Sequence, residues 1–284
     1  MPDRPRLTPA VADVRRAVRA VLPLIPKRAG GVEALVALSG GPDSLALSAA
    51  CAFEGPRAGR RFGAVVVDHG LQPDSAAVAG RAADAARQLG LDPVLVRRVD
   101  VGSAGGMEAA ARAARHRAFG AALAETGATR VLLAHTLDDQ AETVLLGLAR
   151  GSGPDAVAGM RVVAPPLLRP LLALPRAATV QACRDAALEA WADPHNADRR
   201  FARVRVRLDA LPALEAAIGP GVAAALARTA DQVQEDAAAL DALAAELAPE
   251  LAELADGGIA LPVDALAANP PALRHRLIRL AMEG

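Results

Sequence analysis

The sequence predicts an α/β fold, a doubly wound parallel sheet followed by a smaller C-terminal helical domain. Three observations predict it. Short apolar segments alternate with alanine-rich helical segments through the first two-thirds of the 284-residue chain, an order typical of a parallel sheet with helices on both faces. Three of the apolar segments end directly in polar residues. Beyond about residue 212 the composition changes to alanine, leucine and acidic residues, so we divide the chain into domains at 1–212 and 213–284.

Strands are predicted where apolar residues continue almost without interruption, which suits burial on both faces of a sheet. These positions are 35–38, 63–67, 93–97 and 131–134. A helical pattern follows each strand, at 44–53, 75–89, 107–125 and 137–149. The proline-rich segment 164–175 is expected to be an extended connector. A long helix is predicted over 222–254, kinked or split at Pro249 and ended by DGG at 256–258, and ALRHRLIRL predicts a last helix.

Composition excludes several classes of protein. No apolar run approaches the ~20 residues needed to cross a bilayer, so no membrane contact is expected. The N-terminal residues lack the apolar block of a secretory signal, which predicts a cytoplasmic protein. Cys51 and Cys183 have no spacing for a zinc or iron–sulfur site and are expected to be buried thiols. A formal net charge of zero argues against a uniformly basic surface, so any contact with nucleic acid must be local.

The first strand leads into the loop SGGPDS, which comprises Ser39, Gly40, Gly41, Pro42, Asp43 and Ser44. A glycine-rich turn between a strand and a helix binds phosphate because unpaired amide N–H groups and the helix dipole converge there. A carboxylate at Asp43 would repel phosphate unless a divalent cation lay between them, and Mg²⁺ accepts such sparse oxygen ligation. The alternative is an ordinary strand-to-helix turn in which Ser44 caps the helix.

In this setting the loop resembles the signature of the PP-loop ATP pyrophosphatase superfamily. The stretch LLAHTLDDQAETVLLGLARGSG resembles the tRNA(Ile)-lysidine synthetase family within it, and so do VVVDHGLQPDS, MEAAARAARHRAF, LLRPLL and WADPHNADRRFARVRVR. Together with the loop they cover most of residues 32–212 in the expected order. The chain departs from the family pattern at Thr136, where a second histidine is frequent, and at Val204, where an asparagine is frequent.

The resemblance implies an enzyme that uses ATP and Mg²⁺ to attach AMP to O2 of the wobble cytidine in an isoleucine tRNA with a CAU anticodon. The ε-amine of L-lysine then displaces AMP to give lysidine. The resemblance implies that Asp43 and Asp139 hold Mg²⁺ while amides of residues 39–44 bind the pyrophosphate. His135 is expected to donate to the α-phosphate or stabilise charge, unless it is a capping or satisfied loop histidine. Asp138 either shares the metal or caps the following helix.

Other residues are expected to contact the substrates. Glu142 lies one turn beyond the acidic pair, so the resemblance favours a contact with the lysine ammonium, with a solvated helix face as the alternative. Arg112 and Arg115 share a helix face and are expected to reach phosphate or the lysine carboxylate. Backbone groups of Val67 and Asp68 are expected to contact adenine, as the resemblance implies.

The segment 199–207 contains five arginines and no acid, and Trp191 and Phe201 are nearby. Because the family resemblance implies a tRNA substrate, this pattern predicts RNA contact through phosphate pairing and base stacking. The alternative is a solvated arginine face with the aromatic rings in the core. The RNA-contacting residues expected are Arg203, Arg205 and Arg207.

Two further functions stay open. A tRNA thiolase of the same superfamily would share the ATP chemistry, but two isolated cysteines fit it poorly. A non-catalytic nucleotide-binding module would keep the loop as a sensor. The sequence also leaves the oligomeric state open, with a homodimer as one candidate.

Overall fold

The computed structural model describes residues 7–28, 30–70, 72, 74–102, 106–151, 153–255 and 258–283. Six strands form the main sheet: β1 (Ala34–Ala37), β2 (Phe62–Asp68), β3 (Val94–Arg98), β4 (Arg130–Leu132), β5 (Val163–Ala164) and β6 (Leu167–Leu168). Their order across the sheet is β3-β2-β1-β4-β6-β5. Every neighbouring pair is parallel except β5 with β6.

The helices follow the predicted alternation with the strands. They are α1 (Pro9–Val21), α2 (Pro42–Arg57), α3 (Ser75–Leu89), α4 (Met107–Thr126), α5 (Leu137–Ala149), α6 (Pro154–Val157), α7 (Arg176–Asp185), α8 (Ala202–Arg205), α9 (Leu211–Ile218), α10 (Val222–Leu251), α11 (Val263–Ala268) and α12 (Pro271–Glu283). A small antiparallel hairpin of β7 (Glu253–Ala255) and β8 (Gly258–Ala260) separates α10 from α11.

Helices cover both faces of the main sheet. On one face Val36 and Val66 pack with apolar residues of α1, α2, α3 and α7. On the other face Leu35 and Val65 pack with Phe119 of α4. Because successive side chains of a strand point to opposite faces, two covered faces require the almost continuous apolar runs seen in the sequence. The doubly wound parallel sheet is therefore confirmed.

The strand order places the candidate site. Going along the sheet from β1, the chain adds β2 and β3 on one side and β4 and β6 on the other. Ligands of open α/β sheets bind at the carboxyl ends of the strands where the order reverses in this way. The loops that follow β1 and β4 leave from these two neighbouring strands, so residues 38–41 and 133–136 meet at this edge.

Two predictions about elements are wrong. The segment 164–175 is not a plain connector, because Leu167–Leu168 forms β6 and pairs with β4; a strand of two residues gives no periodic signal. The long helix is continuous through Pro249 and not split there, and it ends at Leu251 instead of residue 254 because Glu253–Ala255 forms β7; a kink at Pro249 stays a prediction. Pro249 lies in its last turn, where the missing N–H removes only one backbone hydrogen bond. The predicted stop at 256–258 lies partly outside the described residues.

Helix α10 of the C-terminal region packs directly on the sheet domain. Helix α10 contacts both α5 and α12, and its Gln234 side chain donates to the carbonyls of Ala158 (2.6 Å) and Met160 (3.1 Å). The domain division at residue 212 falls within α9.

No single helix of the described chain is long and apolar enough to cross a bilayer. The helical segments Ala202–Ile218 and Val222–Leu251, which are bent by 99°, meet the length and composition criteria only as a pair.

Candidate active site

A cleft of about 540 Å³ opens at the carboxyl ends of β1, β2 and β4. It is lined by residues 37–39, 65–70 and 133–135, together with the first turn of α2, Arg176, Arg207 and part of the segment 191–196. The prediction that the three polar loops lie on one edge of the sheet is confirmed by this lining.

Gly40 makes the sharp turn from β1 toward α2. Its φ of +84° lies in a region that glycine adopts freely and other residues avoid. A Cβ at this position would meet the Cβ atoms of Ala82 and Trp191 at ordinary contact distances of 3.6 and 3.8 Å, so the backbone conformation and not crowding requires glycine. The Gly40 carbonyl accepts a 2.9 Å hydrogen bond from the Trp191 amide, which ties the loop to the segment that precedes the arginine cluster.

Ser39 and Ser44 brace the same loop. The Ser44 hydroxyl donates to the Gly41 carbonyl (2.9 Å) and accepts from the Ser39 amide (3.2 Å). Helix α2 begins at Pro42, two residues earlier than predicted, with Gly41 at its N-cap. Ser44 therefore lies in the first turn and does not cap the helix. The N-terminus of α2, with its unpaired amides, lies at the cleft.

Asp43 lies in this first turn and faces the cleft. The Thr179 hydroxyl of α7 donates to its Oδ1, and Arg176 Nε lies 3.6 Å from its Oδ2. Burial raises the pKa of Asp43 above its ordinary value, while Thr179 and Arg176 oppose the rise. A further cation at this carboxylate would favour its ionised form.

The start of α5 is held by a capping box between Thr136 and Asp139. The Thr136 amide donates to Asp139 Oδ2 at 2.8 Å, and Arg176 Nη2 donates to Asp139 Oδ1 at 2.7 Å. Burial acts to raise the pKa of Asp139, but Arg176 and the Thr136 amide outweigh it and hold the pKa below its ordinary value. Thr136, which stands where a second histidine is frequent in the family, therefore has a structural role.

Asp138 caps a helix other than the expected one. Its Oδ2 accepts a 2.7 Å hydrogen bond from the Arg176 amide, the first residue of α7. Pro175 occupies the N-cap of α7 and makes no side-chain hydrogen bond there, so the Asp138 carboxylate supplies the missing acceptor. Of its two predicted roles the structure shows capping, of α7 rather than α5.

Glu142 is completely buried, so the alternative of a solvated helix face is wrong. Arg207 binds it with two hydrogen bonds, Nε to Oε1 at 2.6 Å and Nη2 to Oε2 at 3.0 Å. Arg176 Nη1 lies 3.3 Å and Arg203 Nη1 3.9 Å from the same carboxylate. Three guanidinium groups thus surround one buried negative charge, and its contact with lysine stays a prediction.

The arginine cluster divides between the cleft and the surface. Arg203 also donates to the Thr143 hydroxyl of α5 (3.2 Å), whereas Arg205 donates to the carbonyls of residues 199 (2.8 Å) and 200 (2.9 Å) on the exposed side. Arg207 lies in a π-helical turn, Val206–Ala210, that joins α8 to α9. Pro212, two residues beyond this turn, supplies no N–H for regular α-helical bonding, which favours the wider turn.

Acids that flank the cluster neutralise part of it. Arg200 pairs with Asp198 at 2.6 Å, and Arg199 pairs with Asp209 at 3.1 Å. Phe201 contacts the His195 ring edge-on, with a centroid separation of 5.9 Å. The exposed arginines are therefore not a bare cationic face, and RNA contact by this segment stays a prediction.

His135 lines the cleft immediately after β4. Its Nδ1 accepts a 3.2 Å hydrogen bond from Nε of Arg169, a residue only 5% exposed that follows β6. Burial lowers the pKa of His135 to about 4; the charge of Asp139 opposes this shift, and those of Arg169 and Arg203 add to it. The ring is therefore neutral at pH 7.

Val67 and Asp68 lie at the end of β2. Strand β1 pairs with β2 only as far as Val65, so the last residues of β2 extend past β1 and line the cleft. The Asp68 carboxylate accepts from the Gly70 amide (2.9 Å) and from Arg98 (3.0 Å). Burial acts to raise the pKa of Asp68, but hydrogen bonds from Gly70 and Ser75, together with Arg98, outweigh it and lower the pKa. The carboxylate thus stabilises the loop, which leaves backbone groups for the predicted adenine contact.

Arg112 and Arg115 are both exposed on α4, but only Arg115 lines the cleft. The charge of Arg112 instead contributes to lowering the pKa of Arg169, behind the effect of burial. The two residues share a helix face as predicted, yet they reach different parts of the site.

Arg169 and Arg176 are the residues that the sequence analysis does not single out. Arg169 lies within the LLRPLL block, where the apolar residues on both sides are the local indication of burial, although arginine is rarely buried without a partner. Arg176 follows a proline at a helix start and has no local pattern that sets it apart. Its guanidinium nevertheless contacts Asp43, Asp139 and Glu142.

The carboxylates fit the needs of Mg²⁺. Within the described ranges no group of three or more His, Cys, Asp or Glu side chains is arranged for a metal ion. Mg²⁺ in nucleotide sites requires only one or two carboxylates, with phosphate oxygens and water completing its shell. Asp43 and Asp139 already share one cation, the Arg176 guanidinium, so a divalent cation between them is chemically reasonable.

Fold and site together define a nucleotide-binding protein with a phosphate loop at the switch point of a parallel sheet. In agreement, the chain matches the PP-loop domain family over residues 14–214. The tRNA(Ile)-lysidine synthase of Leifsonia xyli subsp. xyli is 62% identical over 261 residues, covering 92% of this chain and 77% of that protein. That of Mycobacterium tuberculosis (strain ATCC 25618 / H37Rv) is 53% identical over 244 residues, covering 86% and 73%.

The chain belongs to the tRNA(Ile)-lysidine synthase family of PP-loop enzymes. A solved structure, the U34-tRNA thiolase of Methanococcus maripaludis with its [4Fe-4S] cluster, superposes with a TM-score of 0.65 over 80% of this chain and 79% of that one, at 18% identity. That likeness shows a shared fold. The much higher identity to the synthases favours the lysidine synthase hypothesis over both alternatives.

Proposed function

We propose that the protein joins L-lysine to the wobble cytidine of the CAU anticodon of an isoleucine tRNA and converts ATP to AMP and pyrophosphate. In the first step cytidine O2 bonds to the α-phosphorus, and the bond from that phosphorus to the pyrophosphate oxygen breaks. In the second step the lysine ε-amine bonds to C2, the C2–O2 bond breaks, AMP leaves with that oxygen, and the amine loses a proton. The observation that supports this best is that Arg176 joins Asp43 of the phosphate loop to Asp139 within one cleft.

The nucleotide half of the site uses the end of β1 and the start of α2. Amides of residues 39–44 bind the pyrophosphate, and the α2 dipole favours its negative charge. Asp43 and Asp139 would hold Mg²⁺, and the ion would supply positive charge beside the pyrophosphate leaving group. His135 hydrogen-bonds to the α-phosphate. Backbone groups of Val67 and Asp68, beyond the last residue of β1, contact adenine.

The other half binds lysine and RNA. Glu142 and its arginine partners form a charged site for the amino acid, in which the ammonium competes with guanidinium for the carboxylate. Arg115 reaches phosphate or the lysine carboxylate, and Arg112 supports it from the same helix face. The tRNA is bound by the exposed part of the arginine cluster and by residues 213–284 as a separate tRNA-contacting domain. A cytoplasmic location is part of the proposal, because ATP, lysine and tRNA are all substrates of the cytoplasm. Of the three residues predicted to contact RNA, Arg205 on the exposed side is proposed for the tRNA, whereas Arg203 and Arg207 are proposed for the lysine site through their contacts with Glu142.

The test is direct incorporation of lysine into RNA. Purified protein is incubated with ATP, Mg²⁺, radiolabelled lysine and a transcript of isoleucine tRNA with a CAU anticodon, and a matched transcript with a UAU anticodon serves as control. We expect label on the CAU transcript alone and one pyrophosphate released for each lysine attached. Absence of label from the CAU transcript would refute the proposal.

The same assay separates the alternatives. Cys51 and Cys183 are buried as predicted, and burial raises the pKa of both thiols, which opposes the thiolate form that sulfur transfer needs. We therefore expect the Cys51→Ala/Cys183→Ala double variant to keep its activity, whereas loss of turnover in a folded variant would favour a thiolase. ATP binding without pyrophosphate release would favour the non-catalytic module.

A further inference from the structure

The His135 imidazole is held from behind by a buried arginine. Arg169 Nε donates to His135 Nδ1 at 3.2 Å, and Arg169 Nη1 donates to the Arg161 carbonyl at 2.8 Å. The Arg169 backbone is fixed as well, because its amide donates to the Val162 carbonyl at 2.9 Å. Both the backbone and the guanidinium of Arg169 are therefore fixed, and its Nε–H group points at the His135 imidazole.

This contact determines where the imidazole carries its proton. A guanidinium has only donors and does not lose its charge in proteins. Nδ1 must therefore offer its lone pair, and a neutral ring then carries its hydrogen on Nε2. In a doubly protonated ring, the N–H at Nδ1 would point at the Nε–H of Arg169, and both groups would carry positive charge. The depressed pKa of His135, due first to burial and opposed by Asp139, agrees with a neutral ring.

We propose that Arg169 is a positioning residue that locks His135 in the Nε2–H tautomer, so that His135 is a fixed hydrogen-bond donor to the reacting nucleotide and not the base for the lysine amine. The tautomer follows from the hydrogen bond alone, whereas the donor role rests on the proposed function. A neutral imidazole that donates keeps its proton throughout both steps. It stabilises negative charge on a phosphate oxygen without adding a proton to the phosphate.

The tautomer can be observed without turnover. Full-length protein is labelled with ¹⁵N-histidine, and long-range ¹H–¹⁵N correlation at neutral pH reports which nitrogen of each of the five histidines carries hydrogen. A His135→Gln spectrum assigns the signals. We expect hydrogen on Nε2 and a bare Nδ1 at His135, and a changed Nε2–H signal when α,β-methylene-ATP with Mg²⁺ is added. Hydrogen on Nδ1, an imidazolium, or a signal unmoved by the nucleotide would overturn the proposal.

Substitutions separate a donor from a base. Glutamine keeps an N–H donor but cannot accept a proton, so His135→Gln should retain pyrophosphate release within about tenfold, while His135→Leu should lose about 10²–10³-fold, as expected for one lost donor. Because the amine reacts only in the second step, lysine attachment is measured as well. A loss of attachment that is equal in both variants and exceeds their loss of pyrophosphate release would show that His135 acts as a base. Arg169→Met should give a mixture of tautomers and lower kcat by about tenfold with the KM for ATP changed less than about twofold. Arg87→Met, at an exposed pair with Asp84, is the matched control.

These outcomes stay distinct from failure of the proposed function. If no lysine reaches the tRNA but His135 carries hydrogen on Nε2, the positioning role of Arg169 stands and the reaction is different. If Arg169→Met does not fold, the wild-type spectrum and the two His135 variants still decide the proposal. An unchanged tautomer in folded Arg169→Met would show that Arg169 only anchors the backbone.

Discussion

Replacing Arg176 with methionine should lower the free energy of unfolding and make that free energy depend on the Mg²⁺ concentration. The substitution keeps most of the apolar stem and removes the guanidinium that contacts Asp43, Asp139 and Glu142. Breaking a buried ion pair by removing one partner typically costs about 3–5 kcal/mol. Here each carboxylate retains another donor: Thr179, Thr136 and Arg207, respectively.

Because each carboxylate retains a donor, we expect the free energy of unfolding to decrease by about 3 kcal/mol, the lower end of the range for a broken buried ion pair. For a chain of this length, 1 kcal/mol corresponds to about 2 °C in Tm, so we expect a decrease of about 6 °C in thermal unfolding followed by circular dichroism. Without the guanidinium, Asp43 and Asp139 should bind a divalent cation more tightly. Mg²⁺ at about ten times its Kd would then return about 1.4 kcal/mol, or about 3 °C.

The control is Arg87→Met, which removes an exposed arginine whose pair with Asp84 contributes little. NaCl at matched ionic strength separates Mg²⁺ binding from screening. The reasoning would be refuted if Arg176→Met melted at the wild-type temperature, or if Mg²⁺ raised the Tm of both proteins equally.

Four further results are expected. Asp43→Asn should lower pyrophosphate release by more than about 10²-fold, since the amide is a poor Mg²⁺ ligand; near-normal turnover would exclude a metal role. Glu142→Gln should raise the KM for lysine far more than the KM for ATP, whereas a drop in Tm with an unchanged lysine KM would make the residue structural. Arg205→Gln should weaken tRNA binding and reduce the slope of log K against log salt by about 0.7; an unaltered slope would place this arginine away from the RNA. Finally, the lowered pKa of His135 predicts that stability falls as pH decreases from 6.5 toward about 4, because the unfolded chain takes up the proton first; His135→Gln should lose less stability over that range.

The elements with strong local patterns could be predicted from the sequence. Helices α3 and α5 have the predicted bounds, Ser75–Leu89 and Leu137–Ala149, because turn residues and caps mark their starts and their apolar positions recur regularly. The SGGPDS loop was identifiable because all its phosphate-binding features are contiguous. Strand β6 was not, since two residues form no pattern and its pairing with β4 is set by tertiary contact.

The contacts that organise the site depend on distant parts of the chain. Arg169 is 34 positions from His135, and Arg176 is 37 positions from Asp139. No local spacing reports such contacts. Arginines are common in this sequence, so their number gives no indication of which are buried. The capping role of Thr136 could not be predicted for a different reason. Comparison with the family pattern shows only that a histidine is missing at this position, and it does not show that the threonine caps α5.

The packing of α10 on α5 has a consequence for attempts to minimise the enzyme. The side chains of Gln140 in α5 and Gln234 in α10 both form hydrogen bonds with the Met160 backbone. The two helices are therefore linked through the same residue. A version shortened to residue 212 would lose the outer support of the helix that presents Asp139 and Glu142. The helical region therefore supports the helix that carries the acidic residues, in addition to its proposed contact with RNA, and its inward-facing alanines should tolerate fewer replacements than its outward-facing positions.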